Sequence, residues 1–328
     1  MNYAQLPKIE LHLHLDCSLS YSVVQAIDNT ISEEQYRNEF VAPPVCADLR
    51  DYLTRAVKGF SLMQTPAQLR LVTLDLLAQL EADQVIYAEI RFAPLLHLQQ
   101  GLSPTQVVEA VESALQEGAT RYKVIARLIL CTLRHFTEEQ SLETAALTRQ
   151  FFGKGWVAGF DMAGDELGYR VHAHKKAFSL IKDSGIPFTV HAGEAAGPAS
   201  IWEVIRELGP TRIGHGVRSI EDPSLLQYLV KERIHLEVCP TSNLQTNIFS
   251  SMQAHSLGEL YQQGMSMSIS TDARMITPVT LSSEYQRVAE AFGWGPTEFL
   301  DCNLQALQAA FIEEELRASL RQQVLMAY

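Results

Sequence analysis

His12 and His14 lie in the stretch Lys8-Ile9-Glu10-Leu11-His12-Leu13-His14-Leu15-Asp16. Side chains two apart on a strand project to one face, so two imidazoles here form half of a zinc site. Further polar residues end other β-rich runs: His191, with Glu194 three residues on, then His215, then Asp272. Three histidines and one aspartate, His12, His14, His191 and Asp272, suit Zn²⁺ with a water at the open position. Zinc brings the pKa of such a water close to neutrality. A nucleophile of this kind needs a base or orienting group and a proton donor for the substrate. Glu194 and His215 are left for those roles, and Asp272 could also accept a hydrogen bond from the water. The set is complete for hydrolytic attack at an electrophilic carbon.

The residues must be positioned by something that repeats. Eight β-rich runs alternate with helical patterns, which predicts βα units around a parallel sheet. The runs end at His14, span Val85–Phe92, Val124–Thr132 and Trp156–Met162, lead from Ile186–Val190 into His191, then span Arg212–Gly214, Ile234–Val238 and Met265–Thr271. Between them Leu69, Val72, Leu76 and Leu80 share one helix face. Ser103-Pro104 and Asp222-Pro223 read as helix starts, and Ser256 opens a short helix that Gly264 can close. Eight units predict a (β/α)8 TIM barrel, an α/β fold forming a single domain over residues 1–328. Residues 20–65 form a helical insertion after the first strand, and residues 280–328 carry extra C-terminal helices. Chemistry in such a barrel sits at the C-terminal strand ends, where four of only 10 histidines fall. Gly164, Asp165 and Glu166 follow the fourth strand at the same end.

His172-Ala173-His174 repeats the His12-Leu13-His14 spacing but lies in a helical pattern. Residues two apart on a helix face away from each other by roughly 200°. They are expected at the surface or partly buried, and not as ligands. His97, His135, His235 and His255 are read the same way, although His97 and His135 closely follow the second and third strands.

The formal net charge of −12 argues against nucleic acid or anionic membrane as partner, and leaves a small-molecule ligand. The five cysteines are scattered, with no C-x-x-C pair. With no basic-then-apolar N-terminus and no apolar run near 18 residues, a reduced, cytoplasmic protein is expected.

Six ordered stretches together resemble the adenosine deaminase family. They are Glu10–Asp16, Ala163-Gly164-Asp165-Glu166, His191-Ala192-Gly193-Glu194, Ile213-Gly214-His215-Gly216, Glu237–Asn243 and Ser270-Thr271-Asp272. The resemblance covers nearly the whole chain and implies the barrel, with one zinc per chain on His12, His14, His191 and Asp272. It also implies that Glu194 protonates purine N1 and that His215 orients and activates the water. Gly164 would be a backbone donor to purine N3, Asp16 would lie near the ribose hydroxyl, and His14 would contact the substrate as well as the metal. The implied reaction is deamination of adenosine or deoxyadenosine at C6.

Two positions depart from the family pattern. Ala273 stands where a second aspartate usually contacts purine N7, and Cys17 stands where glycine is common. They leave open the same chemistry on adenine, an N6-substituted adenine or aminodeoxyfutalosine. Arg274 would favour the last if it entered the site, and is expected to point outward in its loop. A two-metal amidohydrolase needs a lysine ending the fourth strand, and Gly159-Phe160-Asp161-Met162 has none. Cytidine-type deaminases also need P-C-x-x-C beside their H-x-E, and no P-C-x-x-C occurs in the chain. A barrel that binds a nucleoside without turnover is the remaining alternative.

Overall fold

The computed structural model describes residues 2–328. Among the described residues eight parallel strands form two ladders, β1 Lys8–His14 to β4 Val157–Ala163 and β5 Thr189–Ala192 to β8 Met267–Ile269. The strands between are β2 Val85–Phe92, β3 Ile125–Leu133, β6 Arg212–His215 and β7 His235–Val238. Single bridges, Phe160 to Phe188 and Leu13 to Asp272, join the ladders at both seams and close the barrel. The eight runs expected from the sequence are these strands: Val85–Phe92 coincides with β2, the first run ends with β1 at His14, and the ends of the others differ by at most three residues.

Helical starts follow the expected chemistry. α1 Tyr21–Ile27, α2 Glu33–Glu39 and α3 Leu49–Ser61 make up the insertion, followed by α4 Pro66–Ala82. Thr65 and Gln68 form a capping box at the start of α4, with Pro66 at its first position. Leu69, Val72, Leu76 and Leu80 on α4 are buried together. α5 Pro104–Gly118 is boxed by Ser103 and Gln106, and α6 Glu138–Phe151 by Thr137 and Gln140. α7 Lys175–Asp183, α8 Pro198–Glu207, α9 Pro223–Lys231, α10 Pro240–Gln245 and α11 Leu257–Gln262 complete the crossovers before α12 Leu281–Phe292. Asp222 caps α9 through the N–H groups of Ser224 and Leu225, as Asp-Pro predicts. Ser256 does not cap α11 with its side chain; its hydroxyl donates to Val217 O at 2.7 Å instead.

α13 Pro296–Ala309 and α14 Glu314–Ala327 are the C-terminal additions. Ala306, Leu307, Leu320 and Val324 on them cover Ile9, Leu11 and Tyr87 of β1 and β2. Asn303 pins the contact by accepting from Ile9 N–H at 2.8 Å.

α3 crosses the C-terminal mouth of the barrel. A Cβ on Gly59 would lie 2.4 Å from the backbone oxygen of Asp16, so glycine is what lets this helix sit directly on the turn after β1. Arg50 at the start of α3 reaches Asp165 after β4 at 2.9 Å.

Arg274 neither points outward nor enters the mouth. It is buried, with its guanidinium 2.8 Å from Glu10 and 3.0 Å from Asp83. Asp83 in turn accepts from the N–H groups of Leu281 at 2.6 Å and Ser282 at 3.1 Å at the start of α12. The outward expectation fails because both carboxylates are buried here and need a cation between them. Arg274→Ala should therefore destabilise the protein by about 3–5 kcal/mol, the usual cost of leaving a buried charge without its partner. An unchanged denaturation midpoint would show the ion pair to be dispensable.

Candidate active site

Beneath the mouth, the barrel interior carries charge. Arg91 on β2 donates to Asp161 on β4 at 2.7 Å and to Glu237 on β7 at 2.7 Å. Arg212 on β6 donates to Glu237 at 2.8 Å and to Glu89 at 2.6 Å. All five side chains are buried. Burial alone would raise the Glu237 carboxyl, but Arg91 and Arg212 hold it well below the usual carboxylate range.

Two of these carboxylates face histidines. Glu237 Oε2 lies 2.9 Å from His12 Nδ1, and Asp161 Oδ2 lies 3.1 Å from His191 Nδ1. An ionised carboxylate only accepts, so both Nδ1 atoms carry protons, and in the neutral rings a metal would require both Nε2 lone pairs are free. Those atoms converge with His14 Nε2 and Asp272 Oδ1, all within 4.8 Å of one another. His14 Nε2 is 3.2 Å from His191 Nε2 and 3.5 Å from Asp272 Oδ1, while His12 Nε2 is 3.3 Å from Asp272 Oδ1. Bonds of 2.0–2.1 Å in a tetrahedron separate ligand atoms by about 3.3 Å. His12 Nε2 is buried and has no hydrogen-bond partner. Lone pairs aimed at one point repel unless a cation takes them, so these four residues fit a metal ion.

Backbone geometry sets the aim. His215 and Asp272 occupy the left-handed region, with φ of 62° and 65°, a conformation that non-glycine residues adopt rarely and often at functional sites. Each turns the chain sharply at a strand end. On β6, Gly214 lies opposite His191, and a Cβ there would stand 3.0 Å from His12 Cε1 and 3.2 Å from the His191 ring. Any side chain at this position would push the imidazoles apart. Asp272 is steadied by Ser242, whose hydroxyl donates to Oδ2 at 2.7 Å.

A second cluster, His12, His215 and Cys239, is equally compact. That cluster offers one ligand fewer than the four-residue set, and a closed tetrahedral or open catalytic zinc site is more readily completed by the larger group. The oxygen-and-nitrogen set is the better holder.

Glu194 and His215 sit beside that set. Glu194 Oε2 is 3.6 Å from His215 Nε2. Burial, and then the charges of Asp272 and Glu166, push the Glu194 carboxyl well above its ordinary range. Burial lowers His215 well below a normal histidine. Both groups are thus favoured neutral, the acid protonated and the imidazole free. The turn bearing Glu194 is held by Glu166, which accepts from the N–H groups of Gly193 at 2.5 Å, Glu194 at 3.1 Å and Ala196 at 2.8 Å.

These groups line a deep chamber of about 50 Å³, together with Cys17, Tyr52, Gly164 and Ala273. It shares His14, Cys17, Leu53, Ala163 and Gly164 with an outer cavity of about 380 Å³ that also takes in Asp16, Val57 and Phe60. Asp16 accepts from Ala93 N–H at 3.2 Å, and burial raises it to about 6. The two positions that depart from the family pattern, Cys17 and Ala273, face the same chamber.

The remaining histidines divide differently from expectation. His172 and His135 are exposed, but His174, His97, His235 and His255 are buried. His174 fills both ring nitrogens, with Ser141 Oγ at 2.8 Å and Arg134 O at 3.1 Å, which is how a buried imidazole avoids the desolvation cost. Sequence reasoning gave no role to Glu89, Arg91, Asp161, Arg212, Glu166, Ser242 or Asn243. A signal was available for the first four and Glu237. Charged residues inside runs that are otherwise apolar must be paired when both faces are covered.

The sequence profile of the adenosine deaminase family matches residues 7–327. The adenosine deaminase of Haemophilus ducreyi is 34% identical, over 100% of this chain and 98% of its own length. Among solved structures, the Arabidopsis protein ADAL complexed with IMP superposes with a TM-score of 0.89 at 26% identity, covering 100% of both chains. The N6-methyl-AMP deaminase of Arabidopsis thaliana gives 0.87 at 26% identity, covering 99% of this chain and 98% of that one. With full-length similarity and this site geometry, the chain belongs to the adenosine deaminase family and is a hydrolytic deaminase.

Proposed function

We propose that the protein is a zinc-dependent aminohydrolase that converts adenosine or deoxyadenosine to inosine or deoxyinosine and ammonia. The observation that carries this reading is the convergence of His12, His14, His191 and Asp272 beside a buried carboxyl, Glu194, that favours its protonated form. Those four residues would hold one zinc per chain, which would supply Lewis acidity and a water acidified toward neutrality.

The chain's own groups do the rest. Glu194 lends its proton to purine N1, which makes C6 electrophilic. His215 orients the attacking water, and the Gly164 N–H meets purine N3. Asp16 would lie near the ribose hydroxyl, where it lines the outer cavity, and His14, which lines both cavities, would contact the substrate. As the C6–O bond forms and the C6–N bond breaks, the two hydrogens of water end on N1 and on the departing ammonia. Every atom is accounted for without a second co-substrate.

A second reading keeps the chemistry on another 6-aminopurine: adenine, an N6-substituted adenine, or a modified nucleoside. Ala273 favours it, because its buried methyl lies at the chamber wall where the family pattern has an N7-binding carboxylate. The relative named for N6-methyl-AMP points the same way. The carboxylate-bearing nucleoside has lost its particular support, since Arg274 is committed to Glu10 and Asp83.

Loss of the adenine absorbance band during parallel incubation with adenosine, deoxyadenosine, adenine and N6-methyl-AMP tests the reading. Turnover of none of them would overturn it. His191→Ala should lose bound zinc along with activity, and a variant with full metal content and full rate would remove His191 from the ligand set. Glu194→Gln should retain zinc while kcat falls by roughly 10²–10⁴-fold, the usual worth of general acid catalysis. Near-normal kcat would mean that another group protonates the ring. If adenosine is the substrate, Ala273→Asp should raise its kcat/KM by roughly 5- to 150-fold, the equivalent of a hydrogen bond of about 1–3 kcal/mol. A fall on adenosine alone would favour a different purine.

A further inference from the structure

A hydrogen-bond chain reaches His215 from the far side of the site, and it starts at a group whose proton is beyond dispute. The backbone N–H of Leu257 donates to His255 Nδ1 at 3.0 Å. That nitrogen therefore carries no proton. His255 is buried against Phe249, with ring centroids 4.3 Å apart, and burial pushes its pKa down to about 3. Its ring is neutral, and its proton sits on Nε2.

His255 Nε2 lies 3.2 Å from Asn243 Oδ1. A protonated nitrogen needs an acceptor, so the amide must turn its oxygen this way and its NH₂ the other way. The NH₂ lies 3.2 Å from His215 Nδ1. An amide NH₂ only donates, so His215 Nδ1 accepts. The ring is then neutral and carries its proton on Nε2, the nitrogen that looks toward Glu194. The same short helix, α10, supplies Ser242 to Asp272 and Asn243 to His215. One turn thereby fixes both side chains that flank the nucleophile's position.

We propose that Asn243 and His255 are positioning residues that hold His215 as the Nε2–H tautomer, so that His215 acts on the attacking water as a hydrogen-bond donor and not as a proton acceptor. The kinetic consequence rests on the deaminase reading, while the tautomer is a property of the resting protein. His215 keeps its proton throughout. As the C6–O bond forms and the C6–N bond breaks, one hydrogen of the water ends on the departing amine without passing through the His215 ring. The ring proton on N1 comes from Glu194, whose own proton is replaced from the second hydrogen of the water. Which nitrogen of a catalytic histidine is protonated is commonly set by the bond its other nitrogen makes.

Long-range ¹H–¹⁵N correlation spectra of the zinc-loaded protein test this directly, with His215 identified by the signals that vanish in His215→Gln. The expected pattern is a protonated Nε2 and an unprotonated Nδ1 for both His215 and His255. A proton on His215 Nδ1 would overturn the proposal. Asn243→Asp supplies the second arm, because a carboxylate accepts from both rings and so flips His215 to the Nδ1–H form. In that variant we expect kcat to fall by at least about tenfold, within the range for misplaced proton-handling groups, with zinc content retained and KM changed less than about threefold. Unchanged kcat with a flipped tautomer would also overturn it. If Asn243→Asp does not fold, the wild-type spectrum decides alone. If the wild type turns over no purine, the deaminase reading fails and the spectrum still decides the tautomer.

Discussion

Arg91 is the side chain on which the site depends. It spans the barrel floor to hold Asp161 and Glu237 at once, and those carboxylates fix the tautomers of His191 and His12. Taking a guanidinium out of water is costly, and ion pairs of this kind often return little net stability. Their value here lies in direction. Two bare Nε2 atoms aimed at one point require two Nδ1–H groups held from behind. The charges also explain why a cation belongs above them. Two guanidiniums face Glu89, Asp161 and Glu237, and Asp272 adds another negative charge, so a divalent ion would bring the buried group to neutrality.

That requirement reaches back into the sequence. Glycine at 214 is needed because two imidazoles occupy the space of its missing side chain. The left-handed turns at His215 and Asp272 are tolerated because the strands beneath them are locked into parallel ladders. Glu166 satisfies the N–H groups of the turn that carries Glu194, so that a buried, proton-holding carboxyl can be presented without leaving the backbone unpaired.

The barrel was legible because its strands are short apolar runs separated by helices with clear caps, such as Thr65–Gln68 and Ser103–Gln106. The grouping of His12, His14, His191 and Asp272 followed from one topological rule, that polar strand ends meet at one face. What could not be read is direction across the barrel. Arg274 sits two residues from Asp272, yet it turns away to Glu10 and Asp83, and local sequence does not say which way such a loop folds. His255 looked like any isolated histidine, and only the packing of α10 against the turn before α11 places it behind Asn243. Residues that touch the ligand carry recognisable spacing, whereas those that hold them in place come from distant strands.

The central claim is that three imidazoles and one carboxylate hold the metal, with no sulfur. X-ray absorption at the zinc edge of the metal-loaded protein tests it most directly. The account predicts nitrogen and oxygen neighbours at about 2.0–2.2 Å and no sulfur neighbour. A zinc–sulfur distance of about 2.3 Å would place the ion on Cys239, in the His12, His215 and Cys239 cluster, and would contradict the arrangement derived from Arg91 upward.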